Sequence, residues 1–329
     1  MASIRYSAPG RAGIIGNPSD LYGGVVISCG LAMRARCHLD PADRLTLKSS
    51  DEKQIPTDLN LTGDRFDLLK SAIVGAGFSL DKSRFQLSAE SDVPAQAGLA
   101  GSTAMLTAVV ACLLTLKEGW VSAYHLAEQV RRIEADALGV VCGYQDHHMA
   151  AFGGVNYMDF RGKETLRADA NEPFATVEPI DRLLPRRQEL PFVLAFTGFE
   201  RDSSAVHSDL RSRWERGDES VVKGMREIAS LAQRAKKAMI ERDWQLMADL
   251  MNENHAIVRD LGASGKVLDE LIDAAKAGGA WAAKLAGAGG EGGTIIALTP
   301  DPQRLADALQ GKAAGIYQLA PNAPGVMRI

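Results

Sequence analysis

Several classes of protein are excluded by what this chain has little of. Its 329 residues include four cysteines, Cys29, Cys37, Cys112 and Cys142, and none forms the close pair of a zinc or thiol–disulfide motif. Buried free thiols in a reducing compartment fit that spacing. Neither sign of charge is in excess. The net charge is −4, so no global field draws the chain to nucleic acid or to an acidic membrane surface. The longest apolar run, from Ala104 to Leu116, is too short to cross a bilayer and reads as a buried helix. The opening residues, MASIRYSAPG, lack the apolar core of a secretory signal, which points to a cytoplasmic location. There is no tandem repeat, no Gly-Lys-Ser/Thr triplet closing a Walker loop, and no GxGxxG turn followed by a ribose-binding acid. The last absence argues against a dehydrogenase.

Glycine, by contrast, is plentiful. Much of it falls in three segments: APGRAGIIGNPSDLYGG (8–24), PAQAGLAGSTA (94–104) and KLAGAGGEGG (284–293). The middle segment runs directly into an apolar helix. Glycine lets a backbone approach a ligand closely, and the free N–H groups of a helix start face an anion there. Pro94, Gly98, Leu99, Ala100, Gly101, Ser102, Thr103 and Ala104 therefore form a candidate phosphate cradle. A tight strand-to-helix turn that binds nothing is the competing reading. The third segment has five glycines within residues 287–293 between two strand-like stretches, more than a hairpin needs. It reads as a mobile flap or a close approach to a ligand through Gly287, Gly289 and Gly290. The first segment sets Arg11, Asn17 and Asp20 as polar tips on a rigid loop.

The chain length fits two domains. Residues 33–39 alternate as a half-buried strand, and Phe85, Leu87 and Ala89 do likewise. Helical spacing marks 65–76 and 102–118. Ser122 looks like an N-cap for a helix ending at Gly139. The polar stretch 161–190, broken by Pro173, Pro179 and Pro185, is the expected junction. It separates an N-terminal α/β unit (1–180) from a C-terminal α+β unit (190–329). Beyond it lie a strand in PFVLAFTGF, helices near 218–241, 243–259 and 265–277, strands at 281–286 and 294–299, a helix at 301–310 and an extended stretch at 315–319. The sheets are expected to be mixed or antiparallel.

In order and character the three glycine segments resemble the three motifs of the GHMP kinases, the family of galactokinase, homoserine kinase, mevalonate kinase and phosphomevalonate kinase. IIGNPSDLYGG, GLAGSTA, GYQDHHMAAFGGVNYMDF (143–160) and SSAVHSDLRSRW (203–214) are most similar to the glucuronokinase-like branch. The resemblance spans nearly the whole chain. It implies a mixed α/β fold of two domains, the second ferredoxin-like, with ATP and an acceptor in the cleft between them.

The resemblance also implies roles. Ser102 and Glu134 would hold Mg2+. The match through I-E-x-x-x-x-G-V-x-C-G-x-x-D makes Asp146 the catalytic base toward the acceptor hydroxyl, with Arg11 the cation that keeps it ionised. Taken alone, Glu134 could instead pair with Arg131 on its own helix, and Asp146 could be a helix cap. His147 and His148 lack metal-ligand spacing and read as packing or hydrogen-bonding residues. Where galactokinases carry a glutamate–histidine pair, this chain has Asn17-Pro18-Ser19-Asp20, which argues against galactose. Asn17, Asp20, Ser203, Ser204, His207 and Arg211 are the candidate acceptor contacts. Arg34, Arg36, Arg201 and Arg211 are the cations available for a uronate carboxylate. Tyr157 and Phe160 are expected in the core. The implied reaction is phosphorylation of a sugar, with D-glucuronate as acceptor. A heptose, another hexose or mevalonate remains an alternative acceptor, and a non-catalytic sugar and ATP sensor an alternative of another class. The partners are small molecules, with a homodimer left open.

Overall fold

The computed structural model describes residues 2–49, 52–163, 174–180, 190–199, 203–287 and 289–329, with the side chains of 203–205 outside that description. The chain opens with β1 (Ile4–Ile15) and β2 (Val25–Pro41), joined through a 3-10 turn at Ser19–Tyr22. Next come β3 (Thr46–Ser49), β4 (Glu52–Gln54), α1 (Asp67–Gly75) and β5 (Phe85–Ser91). Three helices follow: α2 (Gly101–Glu118), α3 (Ala123–Arg132) and α4 (Gln145–Phe152). Between α3 and α4 lies a π turn, Ile133–Ala137. The sheet is extended by β6 (Val155–Asp159) and β7 (Thr176–Pro179).

The long β2 organises this first sheet. Its first half is a β-branched run, Val25, Val26 and Ile27, buried on both faces and paired with β6. In its second half Ala35, Cys37 and Leu39 face the core while Arg36, His38 and Asp40 alternate outward against β5. All pairings in the sheet are antiparallel except β3 with β5. The helices α1 to α4 cover the sheet, and α2, apolar all round, is buried among them and against β1 and β2. The oxygen of Ser122 accepts from the His125 N–H and starts α3, the cap expected from sequence.

The second half runs β8 (Phe192–Phe196), α5 (Ser203–Glu215), α6 (Glu219–Glu241), α7 (Trp244–Asp260), α8 (Lys266–Ala277), β9 (Ala282–Leu285), β10 (Thr294–Leu298), α9 (Pro302–Leu309) and β11 (Gly315–Gln318). Its antiparallel sheet has the order β11-β8-β10-β9, the 4-1-3-2 arrangement of a ferredoxin-like unit. Asp218, Asp243 and Asp301 cap α6, α7 and α9 with their side chains. Apolar faces of α6 and α7 meet Ile14, Ile27, Leu194, Ile296 and Leu298 in one core that joins both sheets.

One expectation changes and one element is new. The first glycine segment is not a loop through Arg11: residues 4–15 are a strand. Its alternation is hidden because bulges at Pro9/Arg11 and Gly13/Ile15 shift the register. And the chain returns at its far end, where β12 (Met327–Arg328) adds to the edge of β1. Most of the expected junction, 164–173 and 181–189, lies outside the described residues.

Candidate active site

The middle glycine segment is a coil of alternating handedness. Gln96, Gly98 and Ala100 all take left-handed backbone, with φ of +50°, +77° and +59°. Such alternation turns successive N–H groups toward one side. Ala100 is the residue before α2, and no side chain caps that helix. Its first turn carries no acid, so the positive end of an 18-residue helix faces outward from the cradle. Leu99, Thr103 and Ala104 turn their side chains into the core, while Ser102 is exposed at the mouth. Pro94 and Gly98 are half-buried.

β1 presses against this cradle at Gly10, where a Cβ would lie 2.8 Å from the Leu99 carbonyl oxygen. That approach lets the Arg11 N–H donate to Leu99 O at 3.0 Å. The Arg11 side chain is 4% exposed and does two things. Its Nη1 donates to Gly98 O at 2.7 Å, and its Nε and Nη2 reach Asp146 Oδ1 at 2.7 and 2.6 Å. Gln145 Nε2 adds a longer bond to the same oxygen at 3.3 Å. Among the described residues, all three of these donors converge on Oδ1. Burial works to raise the Asp146 pKa, but the Arg11 charge outweighs it and holds the carboxyl below the usual range.

Asp146 is the second residue of α4, whose start is held by Asp20. Asp20 Oδ2 accepts from the N–H groups of Tyr144 and Gln145 at 2.9 and 3.0 Å. A Cβ at Gly143 would overlap that carboxylate, which is why the turn needs glycine there. Burial, helped by the nearby Asp146 charge, pushes the Asp20 pKa up. The helix cap considered for Asp146 is thus supplied by Asp20.

Glu134 sits in the π turn and is 8% exposed. Local insertions of this kind recur at functional positions. It does not pair with Arg131, whose guanidinium stacks 4.0 Å over the Tyr144 ring. Its carboxylate accepts from Thr103 Oγ1 at 3.1 Å (Oε2) and 3.3 Å (Oε1), and lies 2.6 Å from His147 Nε2. Burial disfavours a charged His147, yet Cys142 and Glu134 beside its ring raise its pKa to about 10. Ser102, Glu134's expected partner, is one residue from Thr103 on α2. A buried carboxylate beside hydroxyls is a donor set suited to a hard divalent ion. His148, by contrast, bonds Tyr144 O at 2.8 Å and is structural.

The acceptor contacts fare unevenly. Asn17 is expected to meet the acceptor, but its amide is fully engaged by the protein. Nδ2 donates to Gly287 O at 2.7 Å and Oδ1 accepts from Lys284 Nζ at 2.7 Å. Ser203, Ser204 and Arg201 have side chains outside the described residues. His207 and Arg211 lie on α5, where Val206 approaches Gly290, so this helix crosses the third segment. Arg211 bonds Glu215 at 2.8 Å. Arg34 bonds Ser7, Pro324 and Gly325 and fastens the returning chain end. Arg36 pairs with Asp92. Tyr157 and Phe160 are in the core, as expected.

The third segment is tied to both others. Gly13 N–H donates to Ala286 O at 2.9 Å, and Thr294 Oγ1 donates to Ala97 O at 2.8 Å. Its glycines serve close approach to the chain itself. A Cβ at Gly289 would strike Ala263 O, and one at Gly292 would strike Phe199 O. Gly290 N–H donates to Ala263 O at 3.1 Å.

Two participants escape a reading of the sequence. Asn254 on α7 accepts from Gly16 N–H at 2.9 Å. Lys284 is 0% exposed and donates to two neutral oxygens, Asn17 Oδ1 and Leu285 O. Burial, with the Arg11 charge nearby, lowers its pKa to about 7. A lysine between the apolar Ala283 and Leu285 of a strand buried on both faces was the available signal.

Comparison with known proteins agrees with this geometry. The model of the GHMP kinases N-terminal domain matches residues 67–154, and that of the GHMP kinases C-terminal region matches 235–314. Glucuronokinase 1 of Arabidopsis thaliana is 29% identical, with 91% of this chain and 86% of that protein covered. A probable glucuronokinase 2 of the same plant is 30% identical, with 88% and 83% covered. A mevalonate kinase of Pyrococcus abyssi is 27% identical, with 98% and 94% covered. The crystal structure of Lactococcus lactis galactokinase with galactose superposes with a TM-score of 0.79 at 20% identity, covering 99% of this chain and 95% of that one. The chain belongs to the GHMP kinase family and is an ATP-dependent kinase with a hydroxyl acceptor.

Proposed function

We propose that the chain is a sugar-acid kinase that converts D-glucuronate to D-glucuronate 1-phosphate. The observation that carries the catalytic part is the double grip of Arg11, which fixes Asp146 and the Gly98 carbonyl with one side chain. It holds the candidate base in register with the backbone amides that would receive the triphosphate.

In this reading the N–H groups at the start of α2 bind phosphate oxygens. Asp146 Oδ2 orients the acceptor hydroxyl and takes its proton as that oxygen bonds to the γ-phosphorus and the bond to ADP breaks. A carboxylate held this acidic is a weak base, so positioning and charge neutralisation carry most of the acceleration. Arg11 remains charged throughout and limits charge build-up beside the transferring group. Mg2+, when bound, neutralises charge on the triphosphate. Glu134 and Ser102 are the side chains assigned to it, with His147 as the counter-charge of Glu134.

Glucuronate as acceptor is supported by the two plant glucuronokinases, each matched over more than four-fifths of its length. Arg211 is the described cation we assign to the uronate carboxylate: it lies on α5, the helix that crosses the third segment, and its partner, Glu215, is a neighbour on that same helix, whereas Arg34 is fixed by the returning chain end. Mevalonate is the second reading, favoured by the longer match to the archaeal enzyme. The deciding experiment is ADP release with Mg-ATP across glucuronate, galactose, a heptose and mevalonate. A kcat/KM for glucuronate above all others is expected. A higher value for any other acceptor overturns the substrate assignment.

A further inference from the structure

The donor atoms of Glu134, Cys142 and His147 lie within 4.8 Å of one another. We propose that they form a binding site for a borderline-soft divalent ion of the Zn2+ class, and that filling it inhibits the kinase by withdrawing Glu134. The metal site stands on its own geometry; the inhibition rests on the function proposed above.

The donor set is the first argument. Mg2+ and Ca2+ take oxygen ligands, whereas a thiol and an imidazole beside one carboxylate suit zinc. Spacing is the second. A tetrahedral zinc with its usual bond lengths separates sulfur, nitrogen and oxygen ligands by roughly 3.4–3.6 Å. The three donors need to move by about an ångström or less to reach that. Glu134 and His147, now 2.6 Å apart, would open slightly, and Cys142 would close in. Burial is the third. The His147 side chain is 1% exposed and that of Glu134 10%. The ring uses Nε2 toward Glu134, while Nδ1 is buried with no hydrogen-bond partner among the described residues.

Cys142 differs from the other thiols. Cys29, Cys37 and Cys112 are buried, but Cys142 is half-exposed in the coil between Gly139 and Gly143. It can approach the cluster without disturbing a helix, and solvent reaches the site on its side. Water would complete the coordination there. The proton of the thiol and the Nε2 proton of His147 leave to solvent as the sulfur and the nitrogen bind the ion. Because the carboxylate is shared, this ion and Mg2+ compete for Glu134.

The test uses Co2+ as a spectroscopic substitute for Zn2+ on the full chain without nucleotide or acceptor. One Co2+ per chain should give visible d–d absorption and a near-ultraviolet thiolate-to-cobalt band, both displaced by Zn2+. Cys142→Ser should abolish the thiolate band. Removing a ligand should weaken Zn2+ inhibition by at least the roughly 10–100-fold that loss of an outer-sphere partner costs. Its turnover with Mg-ATP should stay near that of the unaltered protein. As a check that does not depend on the variant folding, Zn2+ should protect Cys142 of the unaltered chain from alkylation, read by peptide mass. Absence of the thiolate band or of protection overturns the site. A band with equal Zn2+ inhibition of both proteins overturns the inhibition. Neither result bears on the acceptor, which the ADP-release panel decides.

Discussion

Arg11 touches Asp146 with two nitrogens and Gly98 with the third, although the three residues are 135 and 87 positions apart in the chain. The arginine is on β1, the aspartate on α4 and the glycine in the cradle. One buried guanidinium therefore sets the distance between the proposed base and the amides proposed to bind phosphate.

Asp146→Asn keeps the shape and removes the proton acceptor. Turnover should fall by about 10²–10⁴-fold, the usual contribution of general-base help. ATP affinity, measured by calorimetry, should stay within a few-fold. Retained turnover would show that Asp146 only shapes the site.

Arg11→Met removes the charge that opposes burial at Asp146. In the unaltered protein that carboxyl is held low, so it stays ionised through mildly acidic pH and the acid limb of kcat/KM falls below the ordinary carboxylate range. In the variant burial acts unopposed and the limb should move to higher pH. A pH–rate profile reads this directly; an unmoved limb would separate Arg11 from the ionisation of the base.

Glu134→Gln should shift the Mg2+ concentration needed for half-maximal rate upward, with a smaller effect on acceptor KM. The amide still accepts from Thr103 but has lost the charge. An unchanged Mg2+ dependence rejects Glu134 as a ligand.

Lys284 gives a stability prediction. Its pKa is about 7 in the folded chain, against an ordinary value near 10.5. Between those limits the unfolded chain holds one more proton, so stability rises with pH. The penalty is fully present below about 7. The slope from this one group approaches about 1.4 kcal/mol per pH unit in the middle of that window. Lys284→Met should flatten the slope between pH 7.5 and 9.5 in denaturant unfolding (roughly the window set by the two pKa values). A slope equal to that of the unaltered chain would show that the lysine stays charged when buried.

Much of this could be read before the structure. Regular helices announced themselves through apolar spacing, with Ser122 as a cap, because those signals are local. The turn into α2 was legible in Gly98 and Gly101 for the same reason. The partners of Asn17 were not legible, because a polar residue among glycines looks available, whereas Lys284 and Gly287 engage its amide from some 270 positions away. Arg11 and Asp146 were paired through family likeness, since no local rule joins a strand residue to one 135 positions on. Arg34 looked like a cation available to a carboxylate, and its partners, Pro324 and Gly325, come from the other end of the sequence.

That returning tail has a kinetic consequence. The outer edge of β1 is covered by residues 327–328, and Val326 N–H donates to Ala151 O beside α4. On the ribosome, then, the outer edge of the strand that carries Arg11 is covered only after residues 327–328 have emerged. Until then that strand edge is open to pairing with a neighbouring chain, and a tail trimmed before residue 326 should leave a protein that clumps before it loses its nucleotide.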